Sequence, residues 1–179
     1  YPAAIAAMAA ALIAGAVAPA ALLPGVILGA VVFWGILVSD VPTRDLAAHV
    51  DGMTAAASGG ASQRYLRQFA ATALLGYGFG ATVLLRWVYI APVRAAAFAT
   101  GVLALSACAS FLGRLSGGAR LFLALFLFGV YIALNGKGMP ALDVVGFAGD
   151  ATTVTVLRQL GLGIVLLGGG YLYGKVRDR

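Results

Sequence analysis

Charge is what this chain has least of: of 179 residues only 12 are Lys or Arg and 6 are Asp or Glu. A water-soluble domain covers its surface with charged side chains, and 18 of them cannot cover a chain this long. Cysteine occurs once, at Cys108, which excludes an intrachain disulfide and carries no information about redox compartment. In its apolar run the thiol reads as a small buried hydrophobe. Histidine also occurs once, and His49 has no Glu or Cys at zinc-ligand spacing; Asp45 and Asp51 beside it read as solvated charges. No GxSxG elbow, HExxH, Walker A or dinucleotide fingerprint occurs. The glycine-rich runs at 76–80 and 161–163 lie inside apolar segments, without the strand and turn that phosphate loops require.

What is present in abundance is apolar. Hydrophobic residues make up 62% of the chain and its mean hydropathy is +0.99, values that belong to an all-α, polytopic integral membrane protein with lipid as its solvent. The net charge of +6 does not point to nucleic acid, because the basic residues are single and sit between apolar runs, where they set topology. The chain begins at Tyr1 without a methionine, as a fragment, a processed form or part of a longer protein would. Its apolar start lacks the basic flank of a signal peptide.

A hydrocarbon core of about 30 Å needs roughly 20 helical residues with every backbone polar group paired inside the segment. On that rule the chain forms a single transmembrane domain, 1–179, with six helices at about 2–20, 24–38, 65–89, 92–112, 120–134 and 155–174. Pro19 and Pro24 break the first from the second, Ala91-Pro92 the third from the fourth, and polar joints the rest. Alternate joints separate the basic residues into two sets: Arg44, Arg64, Arg67, Arg114, Arg120, Lys175, Arg177 and Arg179 on one side, Arg86, Arg94, Lys137 and Arg158 on the other. Eight against four places both termini, the segment 39–66 and the 113–120 turn in the cytoplasm. Trp87, Tyr89 and Tyr131 then belong to an outer aromatic belt and Tyr65, Tyr171 and Tyr173 to an inner one. Glycine pairs at 25 and 29, 76 and 80, and 170 and 174 give small faces on which helices approach closely, chiefly within the chain.

None of the six helices has a charge at mid-span; Arg86, Arg94 and Arg158 lie near helix ends, where long side chains reach the interface. A proton-driven pump or voltage sensor is thereby disfavoured, leaving a lipid-facing bundle, a channel, or a permease powered by another subunit. Two stretches stand out between the helices. In the first, Leu46, Val50 and Met53 fall at helical spacing and form an apolar stripe flanked by Arg44, Asp45, His49 and Asp51, while Arg64 and Arg67 precede the third helix. The small residues of SGGAS, 58–62, read as a turn before RYLRQF. In the second, 135–154, Pro140 opens a short helix, and Leu142, Val144, Val145 and Phe147 read as apolar anchors of an outer connection resting in the headgroups or capping a pathway.

The run from Val41 to Leu74, with its Arg44-Asp45 start, amphipathic stretch, glycine-serine interruption and Arg64-Tyr65-Leu66-Arg67-Gln68-Phe69 leading into an apolar helix, resembles the membrane subunits of bacterial type-2 ABC exporters. Leu112-Gly113-Arg114-Leu115-Ser116-Gly117-Gly118, the apolar run from Arg120, Tyr131-Ile132-Ala133-Leu134-Asn135-Gly136 and Pro140-Ala141-Leu142-Asp143 extend the resemblance over about 40–179. The long ectodomain and amphipathic N-terminal helix often seen in that class are missing, and the first two helices are joined tightly. The resemblance implies a permease of the bacterial inner membrane with no catalytic, metal or cofactor site of its own. Its partners would be the lipid bilayer, a cytosolic ATP-binding subunit holding the ATP, and a second copy or related permease subunit. It implies further that Arg44, Asp45, Leu46, His49, Val50, Met53, Arg64 and Arg67 form the contact with the ATPase. A non-transporting membrane scaffold, and less readily a lipid-acting enzyme built around His49, Asp45 and Asp51, are the alternatives.

Overall fold

The structure, a computed structural model, describes residues 2–39, 41, 60–136 and 138–177. Six α-helices account for most of them: α1 (Pro2–Val17), α2 (Leu23–Val38), α3 (Gly60–Ile90), α4 (Pro92–Ser116), α5 (Arg120–Asn135) and α6 (Thr153–Arg177). Single 3-10 turns occupy Ala20–Leu22 and Pro140–Leu142, and no strand occurs among the described residues. Helices thus lie over each of the six apolar segments, but not all are long enough to cross a bilayer. Four stretches combine the length and apolarity to do so: Ala20–Val38, Gln63–Ile90, Pro92–Ser116 and Thr153–Tyr173. The 16-residue helices α1 and α5 are about 24 Å long at 1.5 Å per residue, short of a 30 Å core. Four of the six expected spans are thus matched by helices of sufficient length and apolarity.

The breaks follow from local chemistry. Pro19 has no N–H to donate, so α1 ends at Val17, three residues before the expected boundary. Pro24 and Pro92 sit in the first turns of α2 and α4, where a missing N–H costs no intrahelical bond. A single residue, Ala91 at φ −151°, joins the two longest consecutive helices, α3 and α4. At the other end of α4, Gly117 takes φ +63° and returns its N–H to the Gly113 carbonyl at 3.0 Å, a glycine C-cap. Thr152 and Thr155 cap α6 reciprocally: each hydroxyl accepts the other's backbone N–H at 3.3 Å. The third helix begins at Gly60, so the stretch expected as a turn over 58–62 is helical from that residue on.

Helix α4 is the hub. Just over half of it, 56%, is buried, against 22% of α6, the least covered of the four long apolar stretches. Its most extensive interface is with α6 and the next with α3, while α1 and α2 pack against α3 and each other. The core gathers Trp34, Phe79, Val83, Trp87, Phe98, Val102, Phe122 and Phe126. Glycines allow the close approaches. A Cβ on Gly76 would run into Val102 and Trp34, and one on Gly80 into Phe98 and Ile27. Gly25 and Gly29, by contrast, have open space around them, so the small-residue pairing there has no partner helix among the described residues. Alternating helix directions create two ends: one with the starts of α1, α3 and α5, here the near end, and an opposite far end.

Candidate functional site

Of the eight residues expected to form a coupling contact, Arg44, Asp45, Leu46, His49, Val50 and Met53 lie outside the described residues. Arg64 and Arg67 are helical, in the first turns of α3, the former half-buried and the latter exposed. Next to them Tyr65 is only 2% exposed, its hydroxyl donating to the Leu166 carbonyl of α6 at 3.3 Å. The guanidinium of Arg114, at the end of α4, lies 5.4 Å from the centre of the Tyr65 ring. The cation–π pair joins α3 to α4 and the hydrogen bond joins α3 to α6, both at the near end. Tyr65 is therefore an interior residue, not a member of an interfacial belt. Trp87 is likewise interior at 2% exposed, whereas Tyr89 and Tyr131, at 88% and 64%, are exposed on the bundle surface. The difference arises because indole and phenol also serve as large packing groups, which spacing alone does not distinguish from interface anchors.

At the far end the basic residues have three different fates. Arg86 of α3 reaches across to the C-terminus of α1, donating to the carbonyls of Gly15 at 3.0 Å, Ala16 at 3.4 Å and Ala18 at 2.6 Å. The last carbonyls of a helix lack intrahelical donors and carry the negative end of its dipole, so a cation there satisfies both deficits. Gly15 makes the approach possible, since a Cβ would collide with Thr82 on α3. Arg94 of α4 lies over the Trp87 ring at 5.7 Å and beside Gly149. Arg158 of α6 is exposed. Expected alike as snorkelling cations, the first two are instead held by protein groups.

The connection between α5 and α6 is organised by one carboxylate. Asp143 is 1% exposed and accepts four backbone N–H bonds: from Ala148 at 3.0 Å on Oδ1, and from Gly149 at 3.0 Å, Asp150 at 3.1 Å and Ala151 at 3.1 Å on Oδ2. A charged acceptor surrounded by converging amides folds the loop into a ring around itself. Gly146 at φ +72° and Gly149 at φ +87° supply the left-handed turns that aim those amides inward. The ring is fastened to the bundle. Gln159 of α6 donates to the Asp143 carbonyl at 3.4 Å and accepts from the Thr100 hydroxyl of α4 at 2.8 Å, while the Thr155 hydroxyl reaches the Pro140 carbonyl at 3.3 Å. Gly101 leaves room for the Val144 carbonyl, which a Cβ would strike.

The connection is thus a cap seated on the ends of α4 and α6, with its apolar residues turned inward. Val145 joins the core at 4% exposed and Phe147 packs against it. They do not lie out in headgroups, because once Asp143 gathers the loop's amides the apolar side chains are left to cover the bundle end. Sequence reasoning passed over Asp143; the signal was an Asp followed at three and six residues by glycine.

Two clefts flank the cap. One, of about 210 Å³, lies between α4, α6 and the cap, bordered by Ala104, Leu105, Cys108, Thr155, Arg158 and Leu162 among others. The other, of about 150 Å³, is wholly apolar and runs under the cap between α2, α4 and α5, with Phe126, Val130 and Phe147 on its walls. Among the described residues no group of His, Cys, Asp or Glu is arranged to hold a metal ion. The chain matches no protein-family model, no curated protein and no solved structure.

Proposed function

We propose that this chain is the membrane-embedded permease subunit of an ATP-driven exporter in a bacterial inner membrane, forming part of the substrate path while a separate cytosolic ATPase supplies the energy. The observation that carries the reading is the length of α3. Its 31 unbroken residues extend about 46 Å, some 16 Å more than a 30 Å hydrocarbon core. A helix with its apolar part in lipid and its basic start beyond it is a rigid rod joining the bundle to whatever grips the segment before it. Tyr65 and Arg114 tie the base of that rod to α4 and α6, so a displacement of the 43–68 stretch would be delivered to three helices at once. The excess of Arg and Lys at the near end supports a cytoplasmic orientation for that end, with both termini on the same side. A second copy, or a related permease subunit, would complete the path, and the chain itself performs no ATP chemistry.

The test is Leu46→Asp with Met53→Asp in the proposed contact stripe. The doubly substituted chain should insert normally, yet lose co-purification of the ATPase and its stimulated turnover. If both properties survive the double substitution, the coupling role fails; an ATPase that never accompanies the wild-type chain would favour a membrane scaffold instead.

A further inference from the structure

The cleft between α4, α6 and the cap has a polarity gradient. At its rim stands Arg158, exposed and without a hydrogen bond or ion pair among the described residues. One turn further along α6 is Leu162, and across from it on α4 are Ala104, Leu105 and Cys108. The other polar groups of the wall, on Thr155 and Gln159, are occupied by the Pro140 carbonyl, the Asp143 carbonyl and the Thr100 hydroxyl. Apart from these and Arg158, the cleft is lined by Ala, Leu, Val and Cys side chains. Its volume of about 210 Å³ falls below the roughly 300–1,000 Å³ that encloses a drug-sized molecule, so it suits one stretch of hydrocarbon.

We propose that this cleft is a phospholipid-binding site, in which one acyl chain lies between α4 and α6 beneath the cap and the phosphodiester pairs with Arg158. The planar guanidinium has five N–H donors in a fork that matches phosphate oxygens. Head and tail are separated in the right sense, because the cation stands nearer the far end of α6 and the apolar wall nearer the middle of the bundle. One wall of the cleft is α6, the least covered of the long apolar helices, which leaves a sideways route for a lipid from the surrounding bilayer. The site rests on the bilayer placement of the bundle and is independent of any ATPase partner.

Cys108, the only thiol in the chain, lines the cleft and serves as the reporter. With the purified chain in detergent micelles, alkylation by N-ethylmaleimide is timed with added dioleoylphosphatidylglycerol or with dioleoylglycerol, which has the same chains and no phosphate. At ten times its dissociation constant the phospholipid should slow alkylation by about tenfold, the ratio set by simple occupancy. Dioleoylglycerol should protect far less. Arg158→Gln should reduce the phospholipid to the level of dioleoylglycerol, and Arg158→Lys should restore part of the difference. Equal protection of the wild type by both lipids, no protection by either, or undiminished phospholipid protection in Arg158→Gln would overturn the proposal. Because the comparison of two lipids uses the unaltered chain, a misfolded variant does not blunt the test.

Discussion

Replacing Asp143 by Asn removes one charge and turns one of its two acceptor atoms into a donor. With the amide oxygen facing the N–H groups of Gly149, Asp150 and Ala151, the amide nitrogen opposes that of Ala148, so one bond is lost outright and three are weakened. Hydrogen bonds to a charged acceptor contribute about 1.5–3 kcal/mol each and neutral ones about 0.5–1.5, so the change should cost the cap about 3–5 kcal/mol after allowing for incomplete additivity. Amide hydrogen exchange reads this locally, since the opening of a loop exposes its own amides. At 1.4 kcal/mol per tenfold, protection of residues 148–151 should fall by roughly one hundred- to several thousand-fold. Asp150→Asn is the control, because that side chain makes no hydrogen bond among the described residues and its loss should leave exchange unchanged. If exchange in Asp143→Asn stays within about threefold of wild type, equivalent to under about 0.7 kcal/mol, the carboxylate does not organise the cap.

Two further substitutions probe the packing. Gly101→Ala drives a methyl into the Val144 carbonyl and should destabilise the folded state by about 1–3 kcal/mol, whereas Gly29→Ala, in open space on α2, should be neutral or stabilising by up to about 1 kcal/mol; graded denaturation by sodium dodecyl sulfate, followed by circular dichroism, compares them. Arg86→Gln should release the C-terminus of α1, lowering amide protection over 13–18 by about tenfold or more while α4 to α6 are unaffected, and Arg86→Lys should recover part of it.

The positions of the helices were legible because Pro19, Pro24, Pro92 and Gly117 interrupt runs that are otherwise apolar, and such breaks have local causes. Which face of each helix points inward was not. Where nearly every position is apolar, a helix shows no hydrophobic stripe, and burial is decided by size and fit. Hence Trp87 and Tyr65, expected at interfaces, are core residues, and Gly76 and Gly80 form a real close contact while Gly25 and Gly29 do not. The cap was half legible: Pro140 did open a single 3-10 turn, but the inward seating of Val145 and Phe147 depends on Asp143 collecting amides up to eight residues ahead, a relation that apolar periodicity cannot reveal. Among the basic residues the sequence showed only that they stand near helix ends. Whether such a residue meets lipid, as Arg158 does in the proposed site, or a helix terminus, as Arg86 does, depends on which neighbour folds within reach.

The clasp of Arg86 on α1 also imposes an order in time. The carbonyl of Gly15 is made 71 positions before the arginine that satisfies it. While the chain is being synthesised, the end of α1 must therefore find water or some other donor until α3 is complete. The first helix can form early and meet α2, but the clasp that closes its end waits for α3, the other helix it packs against.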